Sequence, residues 1–281
     1  MIFKRVNFRT VFFFITVAAA VAFVFSAAYG TSISAQESGK DASTQPEDGA
    51  GTKPIIAPLA DETVRKMSET LGNAKEFSFD ADISYDELLP SGQKIQYGGT
   101  LQGIVKRPDR VYAEYEGDFE ARKIWYDGKQ LTVLDTDNNF YGQLAVPSKI
   151  DDTMDFLINE YGFTLPLADI LSSNPYDSLM KNISAGVVVG NSDINGRECS
   201  HLAFVEKYID WQLWVSTGKE ALPCKLVITY KVIPGAPQYT AVFSNWNLNP
   251  GVDESIFKAE LPAEAVEINF ISLKKQRGEN Q

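Results

Sequence analysis

At Phe77 the chain takes up a two-residue period and keeps it, with one interruption, almost to its end. "EFSFDADISY" alternates Phe77, Phe79, Ala81, Ile83 and Tyr85 with polar residues, the pattern of a strand with one wet face. "KIQYGGTLQGIVK", "RVYAEYE", "RKIWYD", "QLTVLD" and "FYGQLAV" follow, separated by turns too short to hold a helix. Beyond residue 181 "AGVVVG", "ECSHLAF", "IDWQLWVS", "CKLVITYK", "YTAVFSNWNL" and "AVEINFI" continue in the same way. Strands joined by tight turns pair antiparallel, so the pattern predicts one large antiparallel sheet of about a dozen strands. Its apolar face must be buried against something.

Only short helices are available for that. Ala60, Val64, Met67 and Leu71 share a helical face, with Asp61 and Glu62 in the first turn and Gly72 past the end. Residues 150–181 interrupt the strands. There Asp151 or Asp152 can cap a helix with Met154, Leu157, Ile158 and Tyr161 on one side and Gly162 at its end. Pro166 and Pro175 each mark a further helical start.

The N-terminus is a different kind of sequence. Lys4, Arg5 and Arg9 precede an uncharged run from Val11 to Ala28, so residues 1–35 read as a signal peptide, cleaved after Ala28 or Ala35, or as an uncleaved membrane anchor. Residues 36–57 read as a flexible polar linker, 58–273 as one domain and 274–281 as a polar tail. Removing residues 1–35 takes three of 26 basic residues and none of 37 acidic ones, leaving 23 against 37 and a net charge of −14. Such a surface repels nucleic acid and anionic membranes, so membrane contact is expected only through the N-terminal segment. The protein is expected to be periplasmic and monomeric.

Chemistry-bearing motifs are few. The one histidine, His201, shares a strand with Cys199. If Leu202 and Phe204 face inward, opposite Leu213 and Trp211, then Cys199 and His201 lie on the outer face, about 7 Å apart along the strand, too far for a thiol–imidazole pair. No second histidine or Cys-x-x-Cys completes a metal site. Alternation from Ile228 and Leu226 puts Cys224 on the inner face, roughly two strand spacings (about 10 Å) from Cys199, so two free thiols are expected. "DTDNN" at 135–139 begins like a calcium loop, but Phe140 stands where that loop needs glycine, and a hairpin turn is the better reading. No catalytic, phosphate-binding or dinucleotide motif occurs, and no cofactor is expected. Of the four tryptophans, Trp211 and Trp214 differ in parity and face opposite sides of one strand.

"GGTLQGIVKRPDRVYAEYEGD", "IWYDGKQLTVLD" and "DESIFKAELPAEAVEI" resemble segments of the LolA lipoprotein-carrier family. The stretch from "FSFDADISYDELLPSGQK" through "YGFTLPLADIL", "CSHLAF", "DWQLWV" and "LPCKLVITYK" to "PQYTAVFSNWNLNP" is similar to an exported bacterial family, domain of unknown function 2092, itself LolA/LolB-like in architecture. The resemblance implies a mainly β (α+β) fold. It is a curved antiparallel half-barrel of about eleven strands, with short helices covering the concave face and an apolar cavity between. It also assigns to Arg107, by its place in Lys-Arg-Pro, the role of a lid latch; the alternative is an exposed charge beside Pro108. Ala259, Leu261 and Glu264 depart from the LolA closing pattern, so ligand and partner do not carry over.

Cavity-lining candidates are Phe77, Phe79, Trp125, Met154, Leu157, Ile158, Leu202, Phe204, Trp211, Leu213, Leu226, Ile228 and Tyr230. The expected function is non-enzymatic binding or carriage of a lipid, acyl chain or lipoprotein. The alternatives are a module for a periplasmic protein partner with a self-filled core, and an enzyme using carboxylate pairs.

Overall fold

The computed structural model describes residues 54–276. The signal or anchor segment, most of the expected linker and most of the tail lie outside the described residues. Six strands form a first antiparallel meander: β2 (Glu76–Leu88), β3 (Lys94–Lys106), β4 (Arg110–Gly117), β5 (Ala121–Tyr126), β6 (Gln130–Asp135) and β7 (Phe140–Ala145). Five form a second: β8 (Ala185–Ile194), β9 (Arg197–Val205), β10 (Ile209–Ser216), β11 (Pro223–Tyr230) and β12 (Gln238–Asn247). Pairing of β12 with β2 joins the two into one curved open sheet. Its edges, β7 and β8, each carry a two-residue parallel strand, β13 (Val266–Glu267) and β1 (Ile55–Ile56). The expected linker therefore ends inside the sheet, at Ile55.

The helices fall where the sequence predicts them. Helix α1 (Pro58–Asn73) buries Ala60, Val64, Met67 and Leu71, and it runs one residue past Gly72. Between the meanders come α2 (Ile150–Tyr161), α3 (Ala168–Leu171) and α4 (Pro175–Met180), and α5 (Leu273–Gln276) lies near the C-terminus. Neither aspartate caps α2: Lys149 is its N-cap, and Asp151 and Asp152 lie in the first turn, where they complement the helix dipole. Gly162 ends α2 with a left-handed φ of 71°, and Pro175 opens α4. Side chains of α1 to α4 join the inner residues of both meanders in the main core. Two smaller clusters lie on the outer face. One gathers Ile104, Tyr112, Trp125 and Leu134 under Phe257 of a 3-10 turn (Glu254–Phe257); the other holds Cys199, Trp214, Cys224 and Val227.

In β9 and β10 the predicted register is observed, with Phe204 opposite Trp211 and Leu202 opposite Leu213. His201 faces outward and stacks on Trp214 at 3.9 Å, its Nε2 2.9 Å from Gln212 Oε1. The expectation of two free thiols is overturned, because Cys199 and Cys224 form a disulfide with Cα atoms 6.8 Å apart. A β-bulge is the reason. Lys225 pairs with Trp214 but Pro223 pairs with Val215, so Cys224 is the additional residue of β11 and turns to the outer face. There it meets Cys199, which lies opposite Ser216, the last residue of β10. The bridge spans 25 positions. Reduction, or joint Cys199→Ser and Cys224→Ser substitution, is expected to lower the unfolding free energy by about 3 kcal/mol, read from urea denaturation with and without reductant.

Candidate ligand cavity

The inner face is covered unequally. Helix α1 packs on β8 and β10, and beneath it Leu202, Phe204, Trp211 and Leu213 are buried, Phe204 stacked on Trp211 at 4.2 Å. Own side chains fill that half. Over β3 to β6, α2 and α3 instead stand off the sheet and leave a cavity of about 130 Å3. Phe79, Leu101, Val105, Val111, Ala113, Tyr115, Ile124, Tyr126 and Leu131 form its floor. Its roof is Ile150, Thr153, Met154 and Leu157 of α2, with Leu165 to Ala168 and Leu171. Gly103 belongs to this floor because a Cβ there would lie 2.6 Å from the Phe79 ring.

Three side chains facing the cavity carry hydroxyls. Thr153 and Tyr126 both donate to the Pro147 carbonyl, at 2.9 and 2.7 Å, which leaves the space lined by their carbon atoms. The buried Tyr115 hydroxyl has no partner. A site of this size matches an engineered cavity of about 150 Å3 that takes benzene. It therefore has room for a short length of hydrocarbon.

The roof is fastened at its α3–α4 corner. Arg107 Nη2 donates to the Ser172 carbonyl at 2.7 Å, and its guanidinium lies 5.5 Å from the Phe77 ring centre. Asp151 of α2 accepts from the Ser173 backbone N–H at 2.9 Å and from its hydroxyl. Arg107 is thus a partly buried side chain bonded to the helical segment, not an exposed charge. Burial pulls its pKa below the ordinary value, and Asp151 opposes that shift.

The family model for predicted periplasmic proteins of domain of unknown function 2092 matches residues 60–271. The chain belongs to this family. No curated protein matches the sequence. Among solved structures it is similar to LprF from Mycobacterium bovis, at 10% identity over 75% of this chain and 99% of that one, with a TM-score of 0.42 for LppX and 0.43 for LprF. The match to lipoprotein LppX of Mycobacterium tuberculosis covers 70% of this chain and 98% of that one, at 10% identity. A LolA superfamily protein from Nitrosomonas europaea matches at 13% identity, over 71% and 97% of the two chains, with a TM-score of 0.33.

Of the residues singled out in the sequence, Phe79, Met154 and Leu157 border the cavity. Phe77 lies beside Phe79 in the core, ring centres 6.5 Å apart. Leu202, Phe204, Trp211, Leu213, Leu226, Ile228 and Tyr230 face inward, but in the filled half. Two candidates are corrected. Trp125 points outward, 6.0 Å from Tyr112, because its neighbours Ile124 and Tyr126 take the inner face. Ile158, one position beyond Leu157 and so about 100° round the helix, is 41% exposed. Missed were the inner rows of β3, β4 and β6 and the segment 165–171, although alternation in "RVYAEYE" and "QLTVLD" carries the first of these signals. Among the described residues no cluster of His, Cys, Asp and Glu could hold a metal ion, and no helix is long and apolar enough to cross a membrane.

Burial raises the pKa of Tyr85 and Tyr230 to about 12, and pushes Tyr115 and Tyr239 up by the same cause. Tyrosines of an unfolded chain ionise near about pH 10, so below that value both states hold the proton and the fold keeps this contribution in full. Above it the unfolded chain releases protons first, and stability falls as pH rises towards about 12. Alkaline titration followed by tyrosinate absorbance and far-ultraviolet circular dichroism should show the last tyrosines ionising together with unfolding.

Proposed function

We propose that this is a non-enzymatic periplasmic protein that binds or carries an apolar ligand, an acyl chain or comparable hydrocarbon, in the cavity beneath α2 and α3. The observation that carries the reading is the cavity itself, whose facing hydroxyls are bound elsewhere except at Tyr115. Binding is driven by burial of hydrocarbon, roughly 0.8 kcal/mol per methylene. In this reading Arg107 is the latch: its bond to Ser172 holds the roof down, and release requires that bond to open.

Native mass spectrometry of the purified protein tests the first point. A bound lipid that delipidation removes is expected, and Ala113→Leu, which fills the floor, should abolish its capture while leaving the fold intact. Persistent ligand-free protein, with no uptake of any hydrocarbon probe, would overturn the proposal. Arg107→Leu should speed the release of a bound apolar fluorophore by about two- to tenfold, less than a full hydrogen bond from a charged donor because opening also returns the guanidinium to water. Unchanged release would remove the latch role.

A second reading, a module for a protein partner, is favoured by Val187 and Val189, 52% and 58% exposed on the outward row of edge strand β8. A ligand-free protein that captures one specific periplasmic protein through this edge would support it.

A further inference from the structure

Tyr115 lies at the end of the cavity away from α2, in the row of Leu101. Its ring lies flat along the sheet, and two glycines make that possible. A Cβ at Gly99 would sit 2.6 Å from the Tyr115 hydroxyl oxygen, and one at Gly117 would meet the same ring at 2.7 Å. The phenol is thereby laid over the paired Gly99 and Gly117 of β3 and β4. Tyr115 is 2% exposed, and its hydroxyl has no partner among the described residues. Phenylalanine would fill the same volume without burying an unpaired hydroxyl, which carries a desolvation penalty. The Tyr115 hydroxyl, at the end of an otherwise apolar cavity, is a donor for an oxygen atom that arrives with the ligand.

The surroundings select the charge of that oxygen. Asp118 and Glu120 both act electrostatically on Tyr85 and Tyr115, and Glu87 acts on Tyr85 as well. Arg122, the cation of the group, is bonded to Glu120. A carboxylate or phosphate head would therefore be placed among carboxylates, and an ammonium head would be desolvated where the nearest partly buried carboxylate, Glu120, is already paired.

We infer that the ligand is an amphiphile with an uncharged oxygenated head, an ester or a hydroxyl, whose oxygen accepts a hydrogen bond from Tyr115 while its chain lies under α2 and α3. This rests on the apolar-ligand reading above.

Competition of methyl decanoate, decanoate and decylammonium against a bound apolar fluorophore, using delipidated full chain at neutral pH, separates the two ideas. The ester is expected to bind most tightly. Tyr115→Phe should weaken the ester by about three- to tenfold, the scale of one neutral hydrogen bond, and leave decane binding and the melting temperature undiminished. Equal binding of all three heads, preference for either ion, or ester binding unchanged in Tyr115→Phe would overturn the head-group inference alone. Binding of none of the probes, decane included, would overturn the apolar-ligand reading and this inference with it.

Discussion

The dominant constraint is an excess of apolar sheet over helix. Eleven strands curve around one inner face, and a 16-residue α1 with three shorter helices must cover it. At about 1.5 Å per residue α1 spans roughly 24 Å, enough for the β8–β11 side but not for the whole face. The remainder is bridged by α2 and the four-residue α3, which meet the sheet along their edges and leave space between. The cavity is what remains when a curved sheet is covered by too few helices, although Ile150, Leu157 and Ile170 of the roof pack into the main core.

Polar ties supplement that packing at its margins. Arg107 reaches Ser172, Asp151 reaches Ser173, and Tyr176 of α4 donates to Asp61 of α1 at 2.5 Å with Arg65 over its ring. The outer face is fastened by stiffer means. A disulfide closes the β9–β11 end, and the 3-10 turn carrying Phe257 covers the other cluster, with Glu254 paired to Lys106 at 2.6 Å. That ion pair is exposed and contributes little by itself; the apolar contacts of Phe257, 1% exposed, are what secure the turn. The sheet is thus closed from behind by a disulfide and an apolar cluster, and covered in front by helices that these hydrogen bonds tie to one another.

How much of this was legible in the sequence depended on parity. Strands whose polar residues separate the two faces, such as "EFSFDADISY" and "ECSHLAF", gave their inner rows and even the β9–β10 register. "RKIWYD" did not, because Ile124, Trp125 and Tyr126 are all apolar and alternation has nothing to choose by. Cys224 failed for another reason: a bulge adds one residue, and one residue reverses every assignment on its far side. Which half of the inner face is filled was not legible at all. It depends on where α1 docks, a long-range choice that local periodicity does not record. Tyr115 was visible only as one more inward aromatic, and its meaning came from Gly99 and Gly117 on neighbouring positions of the sheet.

In the proposed reading, with Arg107 as latch and a hydrocarbon as ligand, the same ties bear on how the roof opens. In the closed form Arg107 is partly desolvated, its Nε is buried without a partner, and burial lowers its pKa. Opening breaks one good hydrogen bond to Ser172, but it returns the guanidinium, its orphaned Nε included, to water. The gain in solvation offsets much of the lost bond, because a desolvated cation gives up several kilocalories per mole of hydration that a single carbonyl does not replace. The latch is therefore weaker than its short distance suggests. A fully satisfied buried arginine would hold the roof more tightly and would release a long hydrocarbon more slowly. A partly satisfied one lets the burial of each further methylene compete with it on nearly equal terms.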